Sequence, residues 1–80
     1  MNIKPVESAT LTAIGYDDSQ KLLQLEFRSQ AVYRYAGVPG CVYEELMAAP
    51  SKGRYFNEAI RGHYAHSRIG SAGRDQRGQS

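Results

Sequence analysis

The sequence predicts an α+β domain: a three-stranded antiparallel sheet followed by two helices packed on one of its faces, in the order β-β-β-α-α. Three observations lead there. Over residues 22–28, Leu23, Leu25 and Phe27 alternate with Gln24, Glu26 and Arg28, the pattern of a strand with one dry and one wet face. Tyr33 and Tyr35 repeat the two-residue spacing. Beyond Val38-Pro39-Gly40 the apolar spacing lengthens to that of a helix, at Val42, Leu46 and Ala49 and again at Phe56, Ile60 and Tyr64.

The first strand is predicted over residues 8–16, where Thr10, Thr12 and Ile14 are β-branched and Leu11 is an apolar anchor. Leu11 and Ile14 are three apart, so a regular strand would send them to opposite faces; a bulge by Gly15 is expected to turn both inward. Asp17, Asp18 and Ser19 make a polar turn. After the alternating second strand, a third over residues 32–36 puts Tyr33 and Tyr35 on one side and Val32 and Arg34 on the other. A two-residue loop would set Leu25 against Arg34. A three-residue loop, Ser29, Gln30 and Ala31, pairs Phe27 with Tyr33, Leu25 with Tyr35 and Glu26 with Arg34, each pair contributing about 0.2–1 kcal/mol. Such a loop commonly requires a residue at positive φ, which neither Gln30 nor Ala31 favours.

Pro39 fits the first position of a helix, where its missing N–H costs nothing. Tyr43 and Met47 widen the stripe, and Pro50 ends it. Ser51 is the expected N-cap of a second helix whose opposite face carries Arg54, Glu58 and Arg61. Residues 1–7 are then an N-terminal lead, 8–64 one domain, and 65–80 a disordered basic tail too poor in apolar residues to order itself.

Eighty residues allow one domain, and a single cysteine, Cys41, rules out an internal disulfide and suits a reducing cytoplasm. The longest apolar run, Leu46 to Ala49, is far shorter than the ~20 residues of a membrane span, so no membrane partner and a cytoplasmic location are expected. The net charge of +2 is small but unevenly placed. Residues 50–80 carry Lys52, Arg54, Arg61, Arg68, Arg74 and Arg77 against only Glu58 and Asp75, an asymmetry that can steer an anionic partner.

Tyr33-Arg34-Tyr35, Val38-Pro39, Ser51-Lys52-Gly53-Arg54-Tyr55-Phe56-Asn57, Ile60-Arg61 and Tyr64, with Ile14-Gly15-Tyr16-Asp17 upstream, together resemble the KTSC domain family. That family takes its name from the C-terminus of some lysyl-tRNA synthetases and also occurs as small stand-alone bacterial proteins. The resemblance spans roughly residues 8–64, and Gln30 and Ala31 stand where the family usually has glycine. It implies no established activity; attachment to a tRNA enzyme suggests RNA binding.

Tyr33, Tyr35, Val38, Pro39, Gly53, Phe56, Ile60 and Tyr64 are expected to form the core motif, with both phenols under the helices. The candidate nucleic-acid contacts are Lys52, Arg54, Tyr55, Arg61 and Arg68, with amides at the Gly53 turn as a further anion site. His63 and His66 read as cations near a helix end rather than metal ligands, and no spacing suits a metal or a cofactor. Serine-nucleophile, phosphate-loop and HExxH motifs are absent, so no enzymatic role is expected. Two functions remain. The first is a module binding RNA or tRNA through the basic helix and tail; the second is a protein-interaction module offering an exposed sheet edge.

Overall fold

A computed structural model describes residues 2–71. Five strands form one antiparallel meander: β1 (Asn2–Pro5), β2 (Leu11–Asp17), β3 (Leu22–Phe27), β4 (Ala31–Ala36) and β5 (His66–Ser71), in spatial order β1-β2-β3-β4-β5. Between β4 and β5 lie helix α1 (Gly40–Ala48), the short helix α2 (Lys52–Tyr55) and a π-helical turn over Phe56–Ile60.

The α+β class holds, but the three-stranded sheet and the β-β-β-α-α order are corrected by the two outermost strands. Asn2–Pro5, read as a lead, pairs with β2, and His66–Ser71, read as tail, pairs with β4. Both are edge strands, stabilised by ladder hydrogen bonds to a preformed neighbour and free to carry polar side chains, so neither shows the alternation that marks β3. The rest of the expected tail, residues 72–80, lies outside the described residues. β2, expected to have an open edge, is interior.

Local chemistry explains the turns. Ser8 Oγ accepts from the amides of Thr10 and Leu11 at 3.1 and 3.2 Å, and the Ser8 carbonyl accepts from Arg28 Nε at 2.7 Å. Asp17 Oδ1 accepts from the Ser19 amide and hydroxyl and from the Gln20 amide, closing the β2–β3 turn. A bulge does bring Leu11 and Ile14 to one face, but the slip lies between Leu11 and Ala13 rather than by Gly15.

The hairpin register departs from expectation by two residues: Leu25 pairs with Tyr33, Leu23 with Tyr35 and Gln24 with Arg34. The turn instead begins at Phe27, whose carbonyl accepts the Gln30 amide at 2.8 Å, and Gln30 takes the positive φ of 75°. A shift of two preserves which side chains share a face, so Leu23, Leu25, Tyr33 and Tyr35 still do.

Pro39 is the N-cap of α1 rather than its first residue, with extended ψ of 154°. Tyr16 anchors this junction by donating to the Val38 carbonyl at 2.5 Å and stacking on Tyr43 at 4.9 Å. Ser51 caps α2 as expected, its Oγ accepting from the Arg54 amide at 3.3 Å. The second helix ends at Ile60, so Tyr64 lies beyond it yet still packs on the core. Leu11, Ile14, Leu23, Leu25, Tyr35, Val38, Leu46, Phe56 and Ile60 form that core, between one face of the sheet and the helices.

A candidate nucleic-acid interface

Between the π-helical turn and the β4–β5 end of the sheet, aromatic rings meet in an open cleft of about 340 Å³. Phe27, Tyr33 and Tyr35 come from the sheet, Phe56, Arg61 and Gly62 from the turn and its exit, and His66 from β5. The local backbone explains the convergence. In the π turn the Arg61 amide reaches the Phe56 carbonyl at 2.8 Å, a five-residue span. Phe56 and Ile60 are buried, and Arg61 emerges exposed at the lip. Gly62 then reverses the chain at φ 80°, a conformation glycine adopts without a side-chain penalty. The Ala65 carbonyl accepts from the Ala36 amide at 2.9 Å and starts β5 alongside β4.

The rings brace one another edge to face. Phe27 meets Tyr33 at 5.8 Å and Phe56 at 5.3 Å, and Tyr35 meets Phe56 at 5.7 Å. The imidazole of His66 stacks on Tyr35 at 5.2 Å and 27° and approaches Tyr33 edge-on at 5.8 Å. Tyr35 is sealed, Tyr33 is partly buried and packs against the core with one side left to the cleft, and His66 is exposed. Burial lifts the Tyr35 phenol above its usual range; nearby Tyr33 adds to this and Arg61 opposes it. At neutral pH the cleft floor therefore offers an O–H donor, and Arg61 a cation beside it.

The five expected contact residues do not form one patch. Arg61 lines the cleft, and Arg68 stands opposite Tyr33 in register. Arg54 and Tyr55 instead line a separate hollow, together with Ala49, Pro50 and Glu58. There Arg54 Nε pairs with Glu58 at 3.2 Å, and the Tyr55 hydroxyl donates to Glu45 at 2.7 Å. Lys52 Nζ donates to the Ala49 carbonyl at 3.2 Å. At the Gly53 turn, Ser51 occupies the Arg54 amide and Gly53 is buried against Thr10. His66, which the sequence placed in the tail, belongs to the cleft. The one apolar residue nearby, Ile69, was too weak a signal to reveal it.

The Tyr55–Glu45 bond has a pH consequence. It is the largest cause holding the Tyr55 phenol up at about 12, against an ordinary 10.0. The native state thus keeps a proton that the unfolded chain releases, so this contribution is intact below pH 10 and fades as pH rises from about 10 through about 12. Alkaline unfolding curves should show the loss, and Glu45→Gln should reduce it by bringing the Tyr55 phenol down.

Among the described residues no group of three or more His, Cys, Asp or Glu side chains is placed to hold a metal ion, and no helix is long and apolar enough to cross a membrane.

Comparisons with known proteins agree on one family. The KTSC domain model matches residues 7–64. An uncharacterized protein of Stutzerimonas stutzeri is 43% identical over 65 residues, covering 80% of this chain and 92% of that one. A lysine–tRNA ligase of Nostoc sp. is 40% identical over 67 residues, covering 84% of this chain but 12% of the ligase. The crystal structure of a KTSC domain protein from Yersinia pestis superposes with a TM-score of 0.84 at 39% identity, covering 86% of this chain and 97% of that one. Sequence and fold together place the chain in the KTSC domain family.

Proposed function

We propose that this chain is a non-enzymatic module that binds single-stranded RNA, holding one unpaired base in the aromatic cleft while Arg61 and Arg68 meet the flanking phosphates. The observation that carries this reading is the open cleft itself: half-buried Tyr33 and exposed His66 offer ring faces, with an exposed arginine at the lip. Aromatic faces accept any base, and a stack of this kind is worth about 1–3 kcal/mol. The cavity sits near the lower end of the roughly 300–1,000 Å³ typical of ligand sites, which suits one planar ring system rather than a run of bases. The C-terminal excess of positive charge and the similarity to a segment of a tRNA ligase support the same class of partner.

Titration of a labelled single-stranded RNA at two salt concentrations tests it. Two neutralised phosphates predict a log–log slope of about −1.4, from roughly −0.7 per phosphate on single strands. His66→Ala should weaken binding about 5- to 150-fold, the equivalent of one lost stack, while costing the fold only the ring contacts with Tyr35 and Tyr33, about 0.5–1.5 kcal/mol, so that a thermal melt still shows a folded chain. Absence of binding at low salt rejects the proposal.

A second reading, protein recognition at a sheet edge, moves from β2 to the outer strands. Ile3 on β1 and Ile69 on β5 are 39% and 45% exposed beside edges that a peptide strand could extend. Recovery of a protein partner after nuclease treatment would favour it.

A further inference from the structure

The sheet has a second face, opposite the cleft and the helices, and among the described residues no helix packs on it. Strand pairing places Ile3, Ala13 and Gly15 there, beside Glu26, Val32 and Arg34. Glu26 and Arg34 occupy diagonal positions on neighbouring strands, within reach of one another for side chains of this length. They do not pair. Arg34 Nη2 donates instead to Gln24 Oε1 at 2.8 Å, and the ion pairs of the described residues are Lys21–Asp18 and Arg54–Glu58. Among the described residues Arg34 Nε is closed off from solvent and has no hydrogen-bond partner. Gln24 therefore steadies the guanidinium through Nη2, the enclosed Nε lying out of a partner's reach, and among the described residues neither Arg34 nor Glu26 has an ion-pair partner.

We infer that this face closes on a second copy of the chain, as an isologous sheet-on-sheet dimer in which Glu26 of each copy accepts from Arg34 of the other. An isologous patch must be complementary to itself. One acid and one base on diagonal positions meet that condition, because a two-fold axis crossing the strands between their rows exchanges the two rows. Ala13 and Gly15 keep the β2 part of the face low, as close approach of two sheets requires, and exposed Ile3 adds apolar area at its margin. An anionic polymer would meet the Glu26 carboxylate here, which separates this surface from the cleft on the opposite face. A dimer of this kind leaves both clefts open and pointing away from each other.

Sedimentation of the full chain from micromolar to millimolar concentration reads the result directly. The wild-type chain should show a concentration-dependent dimer that weakens with salt. Arg34→Glu and Glu26→Arg should each weaken it by more than about tenfold, since each sets like charges face to face across the interface. The double variant Arg34→Glu/Glu26→Arg should restore it to within about threefold. Thermal melts establish that each variant is folded, and Glu26→Gln replaces any reversal that is not, with loss of dimer again expected. A wild-type chain that stays monomeric, single variants that dimerise as well as wild type, or a folded double variant that stays monomeric would each overturn the inference. A monomer that binds an acidic peptide through Arg34 would overturn it too, by naming a different occupant.

Discussion

Replacing Leu46 with Ala is expected to destabilise the domain by about 2–5 kcal/mol, the range for emptying a fully buried leucine site. Leu46 is the one residue of α1 that is completely enclosed, while Val42, Tyr43 and Met47 only lean on the core. The helix is held at its start by Pro39, which has no side-chain cap bond, and through Tyr43 stacked on Tyr16. With about 4–8 °C of midpoint per kcal/mol in a domain this small, the melt should fall by at least roughly 8 °C, and the larger costs would leave the chain unfolded at room temperature. Denaturant unfolding checks this. A loss below about 1 kcal/mol would mean that α1 is not anchored through Leu46.

Gly53→Val is expected to be comparably damaging for a different reason. A Cβ at Gly53 would lie 2.4 Å from Thr10 Oγ1 and 2.9 Å from Thr10 Cβ, so the α2 backbone meets the Thr10 side chain with no room for a side chain of its own. Gly53→Ala already demands a shift, at about 1–3 kcal/mol for an overpacked contact, and Val adds two methyl groups to the same space. Thr10→Gly in the Gly53→Ala background removes the colliding atoms and should recover part of the loss in a thermal melt. If Gly53→Ala melts like the wild-type chain, the close approach is not a constraint on the fold. Gly53 therefore has a packing role at this contact.

What the residues revealed beforehand depended on how each element is stabilised. β3 was legible because Leu23 and Leu25 face a dry core and Gln24 and Glu26 do not, so burial prints its period on the sequence. Ser51 was legible because a cap needs a particular side-chain oxygen. β1 and β5 rest on backbone bonds to strands already in place, and segments such as Asn2–Pro5 or His66–Ser71 carry little trace of that in side-chain pattern. The register slipped for a related reason: pairing chemistry ranked Glu26 against Arg34 as favourable, but Gln30 at positive φ fixed the turn one residue earlier. The cleft was half legible. Its tyrosines, Phe56 and Arg61 were singled out separately, and only the return of β5, bringing His66 onto Tyr35, shows them as one surface.

Chemical-shift mapping of the full chain with a short single-stranded RNA tests the central claim most directly, because it reports binding and location together. Perturbations should concentrate on Tyr33, Arg61, His66 and Arg68 and fade when salt is raised. Shifts confined to Lys52, Arg54 and Tyr55, or a spectrum unchanged by the RNA at low salt, would contradict the assignment of the aromatic cleft as the binding site.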